Sequence, residues 1–216
     1  MSYVIAIDGP AASGKGTLAK ALAEKYNLIN IDTGAMYRCV ALKALKQNLS
    51  INDTDKIIDM LDNIDIKLSD DGKVFLDNED VTLDIRSKEV NEIVSPISSI
   101  PEVRENLVNI QRKIAEGNNI VMEGRDITTV VFPNAKYKIY LDASLECRSL
   151  RRYKENQEKG IDMTLDEVKE NIKSRDYNDI HKEIGTLTKT DEQYYIDSTE
   201  LTPEEVLDEV AAYINK

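Results

Sequence analysis

The stretch GPAASGKGT (9–17) directly follows the apolar run VIAID (4–8). Few chains can use such a junction. An apolar strand that runs into glycines and a lysine, with an amphipathic pattern beyond, is a strand–loop–helix unit whose backbone must be approached closely by something. Gly9, Gly14, Lys15 and Thr17 nearly match the spacing G-x-x-x-x-G-K-[ST]. Gly16 takes the position after the lysine, and the hydroxyl comes one step later. Glycines let successive N–H groups turn inward around phosphate oxygens. A helix beginning near Lys15 points its positive dipole end the same way. Lys15 adds a mobile point charge for β- and γ-phosphates. The expected phosphate cradle is Gly9, Pro10, Ala11, Ala12, Ser13, Gly14, Lys15, Gly16 and Thr17.

Four more short apolar runs follow: LINID (28–32), NIVME (119–123), KIYLD (138–142) and YYID (194–197). Near-continuous apolar strands suit a parallel sheet covered on both faces. Helical patterns lie between them. Leu18, Leu22 and Tyr26 share one face, backed by Ala19 and Ala23, and Val103, Leu107, Ile110 and Ile114 keep the helical period. Thr164-Leu165 with Glu167 reads as a capping box, and Thr202-Pro203-Glu204-Glu205 opens the last helix. Strands alternating with helices predict an α/β chain with a five-stranded parallel sheet. One segment departs from this: 64–81 reads as two strands around Asp71-Gly72, an antiparallel hairpin insertion. Another, 148–182, is helical and dense in charge, with Gly160 between its two stretches.

The net charge of −12 sets a nucleic-acid polymer or an anionic membrane surface aside as main partner. It leaves room for an anionic small molecule, because local arginines override the global field. Cys39 and Cys147 stand far apart, outside any metal-ligand spacing, and read as buried free thiols in a reducing compartment. MSYVIAIDG has no basic segment or long apolar run, so the expected location is the cytoplasm.

A phosphate loop that serves two polyanions needs cations from several elements. DTGAMYR (32–38) leaves the second strand with Tyr37 and Arg38, and EGRD (123–126) leaves the third with Arg125. Both sit where open parallel sheets bind ligands, which favours anion binding over surface salt bridges. Arg148, Arg151 and Arg152 form a third group, and Arg148 and Arg152 share a helix face, as do Arg175 and Asp179. This helical pair fits a lid that excludes water or, equally, a solvated ion-paired segment. Asp142 and Asp32 end strands. Each reads as a strand-end cap, or as a carboxylate toward Mg²⁺. His181 has no partner cluster and reads as a surface residue.

GPAASGKGT, DTGAMYR, EGRDITTVVFP and YLDAS, with the inserted hairpin, resemble the bacterial cytidylate kinases over essentially the whole chain. The resemblance implies a P-loop NTPase-type fold. A core of 1–60, 98–147 and 185–216 would carry an acceptor-binding insertion at about 61–97 and a lid at about 148–184. It implies transfer of the ATP γ-phosphoryl group to CMP or dCMP with Mg²⁺, in pyrimidine metabolism, by a monomer. ATP would lie on residues 9–17, with Arg148 against the adenine and Arg152 reaching the moving phosphoryl group. Lys15, Arg125 and Arg152 would be catalytic. Ser95, Arg104 and Asp126 would read the cytosine, with Thr33 keeping a hydroxyl where the family often has serine. Arg38 and Arg125 would hold the CMP phosphate, and Arg175 and Asp179 the sugar, with Tyr37 packed nearby. Mg²⁺ would be carried mainly by ATP rather than by a dedicated protein site, with Thr17 and Asp32 as candidate oxygen donors. Lys182 stands where relatives often carry another arginine, so this contact keeps its charge but loses the planar fork.

Three other readings are compatible with the loop alone. One is a kinase of similar architecture acting on UMP, AMP or shikimate. Another is a switch that hydrolyses or senses ATP without an acceptor, and the last is an interaction protein on a degenerate loop. Asp126 separates the first from a CMP kinase, and turnover without an acceptor separates the second.

Overall fold

The computed structural model describes residues 3–69, 72–158 and 160–215. The chain opens with β1 (Val4–Asp8), α1 (Lys15–Tyr26), β2 (Ile29–Asp32), α2 (Thr33–Lys46) and α3 (Thr54–Leu61). A small sheet follows, made of β3 (Ile66–Leu68), β4 (Val74–Leu76) and β5 (Glu79–Asp80). Next come α4 (Lys88–Ile97), α5 (Pro101–Ala115), β6 (Ile120–Gly124) and β7 (Tyr137–Asp142). The chain closes with α6 (Leu145–Glu158), α7 (Leu165–His181), β8 (Tyr194–Asp197) and α8 (Pro203–Ile214).

The main sheet has the order β2-β6-β1-β7-β8 and every pairing is parallel. Its central strand divides two cores by simple alternation. Ile5 and Ile7 point to one face, with Leu18 and Leu22 of α1 and Val206 and Val210 of α8. Ala6 points to the other, where Met36 and Val40 of α2 meet Val103 and Leu107 of α5. Each of these larger side chains is fully or nearly fully buried. Burial of that kind contributes about 1.5–3 kcal/mol per side chain.

The second core does not stop at the sheet. It continues through Ile57 of α3 and Val74 and Leu76 of β4 to Ile85, and then to Val90, Val94 and Ile97 of α4. The expected hairpin is therefore packed on α2 rather than set apart, and it has three antiparallel strands where two were expected. The third arises because Asp77 and Asn78 both adopt positive φ (51° and 70°), the two-residue turn that reverses a strand directly. Asp and Asn tolerate this conformation at little cost. Of the expected Asp71-Gly72 turn, Asp71 lies outside the described residues, while Gly72 has φ +83°. Both capping boxes form: Thr164 with Glu167 on α7, and Thr202 with Glu205 on α8, with Pro203 at the start of α8. Cys39 is buried as expected, but Cys147, in the first turn of α6 with its Sγ against the Thr199 carbonyl, is only half-buried.

Candidate functional site

At the carboxyl ends of the parallel strands a cleft of about 1390 Å³ opens. Its floor is residues 11–14 of the loop 9–14. Gly9 is needed there because a Cβ would overlap the carbonyl oxygen of Leu141 on β7, so the loop can lie directly on that strand. Gly14, at φ +98°, is the N-cap of α1. Lys15 begins the helix and is buried. Its Nζ donates to the carbonyl of Pro10 at 2.7 Å and to Ser13 Oγ at 3.5 Å. Burial, then the positive charge of Arg125, lowers its pKa to about 7. The helix amides, Lys15 and Thr17 border the cleft together.

Asp8 closes β1 and organises the opposite wall. Its Oδ1 accepts the Ile127 N–H at 2.7 Å, and its Oδ2 accepts the N–H and hydroxyl of Thr128. Burial nonetheless holds its carboxyl above the usual range. These bonds pin the wide turn Ile127–Val131, a π-type helix, directly after Arg125 and Asp126. Glu123, one residue before the end of β6, lies opposite Asp32 on β2, its register partner. Burial and Asp32 raise its pKa, against the pull of Lys15, Arg125 and Arg38.

Arg38, Arg125, Arg152 and Arg175 all line the cleft, with Arg86 beside them. Arg175 is lowered to about 9 by burial and by its neighbours Arg38 and Arg125. Burial also lowers Arg38, against the pull of Asp32. Mutually repelling, desolvated guanidinium groups are costly unless an anion is meant to join them. Arg125 is partly offset: its Nε donates to Asp179 Oδ2 at 2.6 Å. Lys182 Nζ stands 3.6 Å from the other oxygen of Asp179. Asp179 is thus engaged by two cations rather than pointing freely into the cleft. Arg152 pairs with Glu155 at 3.1 Å.

Deeper in the same cleft, Arg104 and Asp126 form a buried ion pair. Arg104 also donates to the carbonyl of Ser98 at 3.3 Å and lies 5.5 Å from the centre of the Tyr37 ring. Tyr37 is raised to about 12 by burial. Ser95 lines the cleft. Thr33 donates its hydroxyl to the carbonyl of Glu123 at 2.8 Å, so it serves the strand junction.

The arrangement differs from expectation at Arg148. Expected against a nucleotide base, it is buried beneath the phosphate loop. Its Nε donates to the Ala143 carbonyl, and its Nη1 to the Ala11 carbonyl and to Asp176. Spacing places Arg148 and Arg152 on one helix face but does not say how α6 is rotated against the loop. Arg151 lines the cleft and donates to the carbonyls of Ser13 and Ser198. Asp32 caps α2 by accepting the Ala35 N–H at 2.9 Å, and Asp142 accepts the N–H of Ala143. His181 is exposed and stacks on Tyr177. Gly9 and Pro10 support the loop from below, while residues 11–17 reach the cleft wall. Asp8, Glu123, Arg86 and Asp176 were not singled out from the sequence, whereas Arg151 was, within the 148–152 arginine group. The positions of Asp8 and Glu123 at or next to a strand's carboxyl end were the available signal; Arg86 and Asp176 have none that is local.

A model of the cytidylate kinase family matches residues 5–216. The cytidylate kinase of Fusobacterium nucleatum is 47% identical over 215 residues, covering 100% of this chain and 98% of that protein. The cytidylate kinase of Caldanaerobacter subterraneus is 50% identical over 216 residues, covering 100% and 96%. Two solved structures share the fold at 14% identity. Shikimate kinase from Bacteroides thetaiotaomicron has a TM-score of 0.51, covering 99% of each chain. An uncharacterized protein from Eubacterium ventriosum has a TM-score of 0.55, covering 100% of this chain and 99% of that one.

Proposed function

The chain belongs to the cytidylate kinase family, and from that membership we propose how its cleft performs the transfer. The reaction moves the γ-phosphoryl group of ATP to CMP or dCMP, giving CDP or dCDP and ADP, in nucleotide metabolism. An oxygen of the CMP phosphate attacks the γ-phosphorus. The bond to the β,γ-bridging oxygen breaks, and its electron pair stays on ADP. The acceptor is already an anion, so the step needs no strong base. Its difficulty is aligning two polyanions, which makes positioning and charge neutralisation the main source of rate.

In this reading residues 9–17 hold the ATP phosphates, with Lys15 on the β- and γ-groups and Arg152 over the transferring phosphoryl. Arg38 and Arg125 hold the CMP phosphate; Arg175 and Asp179 attend the sugar. The Asp126–Arg104 pair, buried beside Tyr37 and Ser95, is the observation that carries the acceptor assignment. Asp126 can accept from the cytosine amino group while Arg104 donates to the ring acceptors. Uracil would set a carbonyl against the carboxylate, an unfavourable meeting of two acceptors. Lys182 supports Asp179 as a point charge. The small sheet and α4 form the acceptor side, and α6–α7 the lid.

Mg²⁺ fits the donor set, which offers hard oxygen ligands. Asp32 and Glu123 are side by side at adjoining strand ends, with Thr17 across the cleft. Among the described residues no group of three or more His, Cys, Asp or Glu would cage a metal by itself. Asp32, Glu123 and Thr17 would hold the ion together with ATP oxygens, and it would supply charge neutralisation on the triphosphate. Among the described residues no helix is long and apolar enough to cross a membrane. We place the protein in the cytoplasm as a monomer, with small nucleotides rather than nucleic-acid polymers as partners.

An ADP-release assay across CMP, dCMP, UMP, AMP and shikimate, with an ATP-only control, tests this. CMP and dCMP should dominate, and ATP alone should give little turnover. Asp126→Ala should lower kcat/KM for CMP by roughly 10²- to 10³-fold, while ATP binding changes little. Equal turnover of all acceptors would remove the cytosine-reading role from Asp126 and Arg104.

A further inference from the structure

Asp176 follows Arg175 on α7 but serves a different partner: the phosphate loop. Its Oδ1 accepts the Ala11 N–H at 3.3 Å. Its Oδ2 accepts from Arg148 Nη1 at 2.6 Å, and the same nitrogen donates to the Ala11 carbonyl at 3.0 Å. Arg148 Nε is tied to the Ala143 carbonyl at 2.9 Å, next to β7. Both main-chain polar groups of Ala11 are therefore held by one buried ion pair, whose side chains are 8% and 16% exposed. The held residue matters. Ala12 comes next with φ +60°, a left-handed conformation that costs a non-glycine residue energy and persists only where its surroundings enforce it. Charge-assisted hydrogen bonds shielded from water can supply that enforcement.

We propose that Arg148 and Asp176 are positioning residues that preset the Ala11–Ala12 turn for the donor phosphates and couple the donor loop to α7. This rests on the site assignment above, in which Arg175 and Asp179 of the same helix serve the acceptor. Donor and acceptor sites then share one helix. Seating ATP on the loop steadies α7 through Asp176, and seating CMP on α7 steadies the loop by the same contact. Coupling of this kind is reciprocal. A purely structural pair would hold the helix in place without linking the two sites.

The test uses wild type, Asp176→Ala, Asp176→Asn and Arg148→Lys. A non-hydrolysable ATP analogue and CMP are titrated calorimetrically, each alone and each with the other present, alongside kcat and KM. Loss of a charge-assisted contact should weaken the analogue by about tenfold. CMP binding alone should stay within about twofold, and the factor by which each ligand aids the other should fall toward one. Misplacing the loop should also lower kcat by roughly 10- to 100-fold. Unaltered analogue affinity and coupling in folded variants would overturn the proposal. So would equal losses for both ligands that track a lowered melting temperature. Should the alanine variant fail to fold, the near-isosteric Asp176→Asn carries the same reading. A wild type that does not phosphorylate CMP defeats the site assignment instead, and the analogue titration still decides the role in the loop.

Discussion

Lys15 holds its charge in a place that discourages it. Burial, with Arg125 nearby, brings its pKa to about 7, so near neutrality the free protein carries this ammonium only part of the time. The triphosphate of ATP brings opposite charge and must raise that value in the complex. The sign follows. Above pH 7 the free protein has released the proton that the complex keeps, so ATP binding takes up a proton and affinity falls as pH rises. The expected loss is up to about tenfold per pH unit until the pKa of the complex is reached. Calorimetry of the ATP analogue between pH 7 and 9, in buffers of different ionisation enthalpy, measures it. Lys15→Ala is the control for titration of the nucleotide, and it should bind weakly with the smaller pH slope. Identical slopes for the two proteins would show that Lys15 stays charged throughout. The position of Lys15 was legible from spacing alone. Its depressed basicity was not, because that comes first from burial and then from Arg125, both decided by tertiary packing.

A phosphate loop works as an element only if it rests on the sheet beneath it, and two glycines separate seating from backbone strain. Gly9 has no room for a Cβ, since the Leu141 carbonyl of β7 occupies that space. Gly117, after α5, has φ +76° and no atom within 4 Å of where a Cβ would stand. Gly9→Ala should therefore lift the loop from β7 and reduce kcat/KM for ATP by roughly 10²-fold. Gly117→Ala should cost about 1–2 kcal/mol of stability, from the left-handed backbone alone, and leave turnover untouched. Thermal melts and steady-state kinetics on both variants check this, and a fully active Gly9→Ala would mean that the loop is not seated through that contact. The strand–loop–helix unit, both capping boxes and the strand-end arginines were readable because their causes are local. The third strand of the small sheet was hidden in a two-residue Asp-Asn turn. The burial of Arg148 was hidden because helix rotation is decided by tertiary packing, which spacing along one helix does not carry.

Across the whole molecule the two segments that flank the cleft are attached differently. Five parallel strands could be anticipated from apolar runs, but not their order, since such runs carry no label for their neighbours. Nor could the sequence say that the insertion shares a core with the sheet, which the run from Val74 to Ile97 through Met36 and Leu107 makes clear. By contrast, α7 buries Val168 and Ile172 but meets the rest of the cleft largely through charges: Asp176 with Arg148, and Asp179 with Arg125 and Lys182. Apolar continuity ties opening to global unfolding, whereas polar links to a cleft can break and reform locally. Amide hydrogen exchange should therefore find α4 and β4 protected nearly as long as the main sheet, with α7 exchanging sooner through local opening. In the proposed reading, the ATP analogue or CMP, each at about a hundred times its Kd, should slow α7 by roughly 100-fold, and the two together by up to about 10⁴-fold. Protection of α4 should change less, because the apolar core it shares with the sheet already holds it closed even though Ser95 on it faces the acceptor side. If α4 exchanged as fast as α7, the insertion would be opening on its own, and the shared core would not be what holds it.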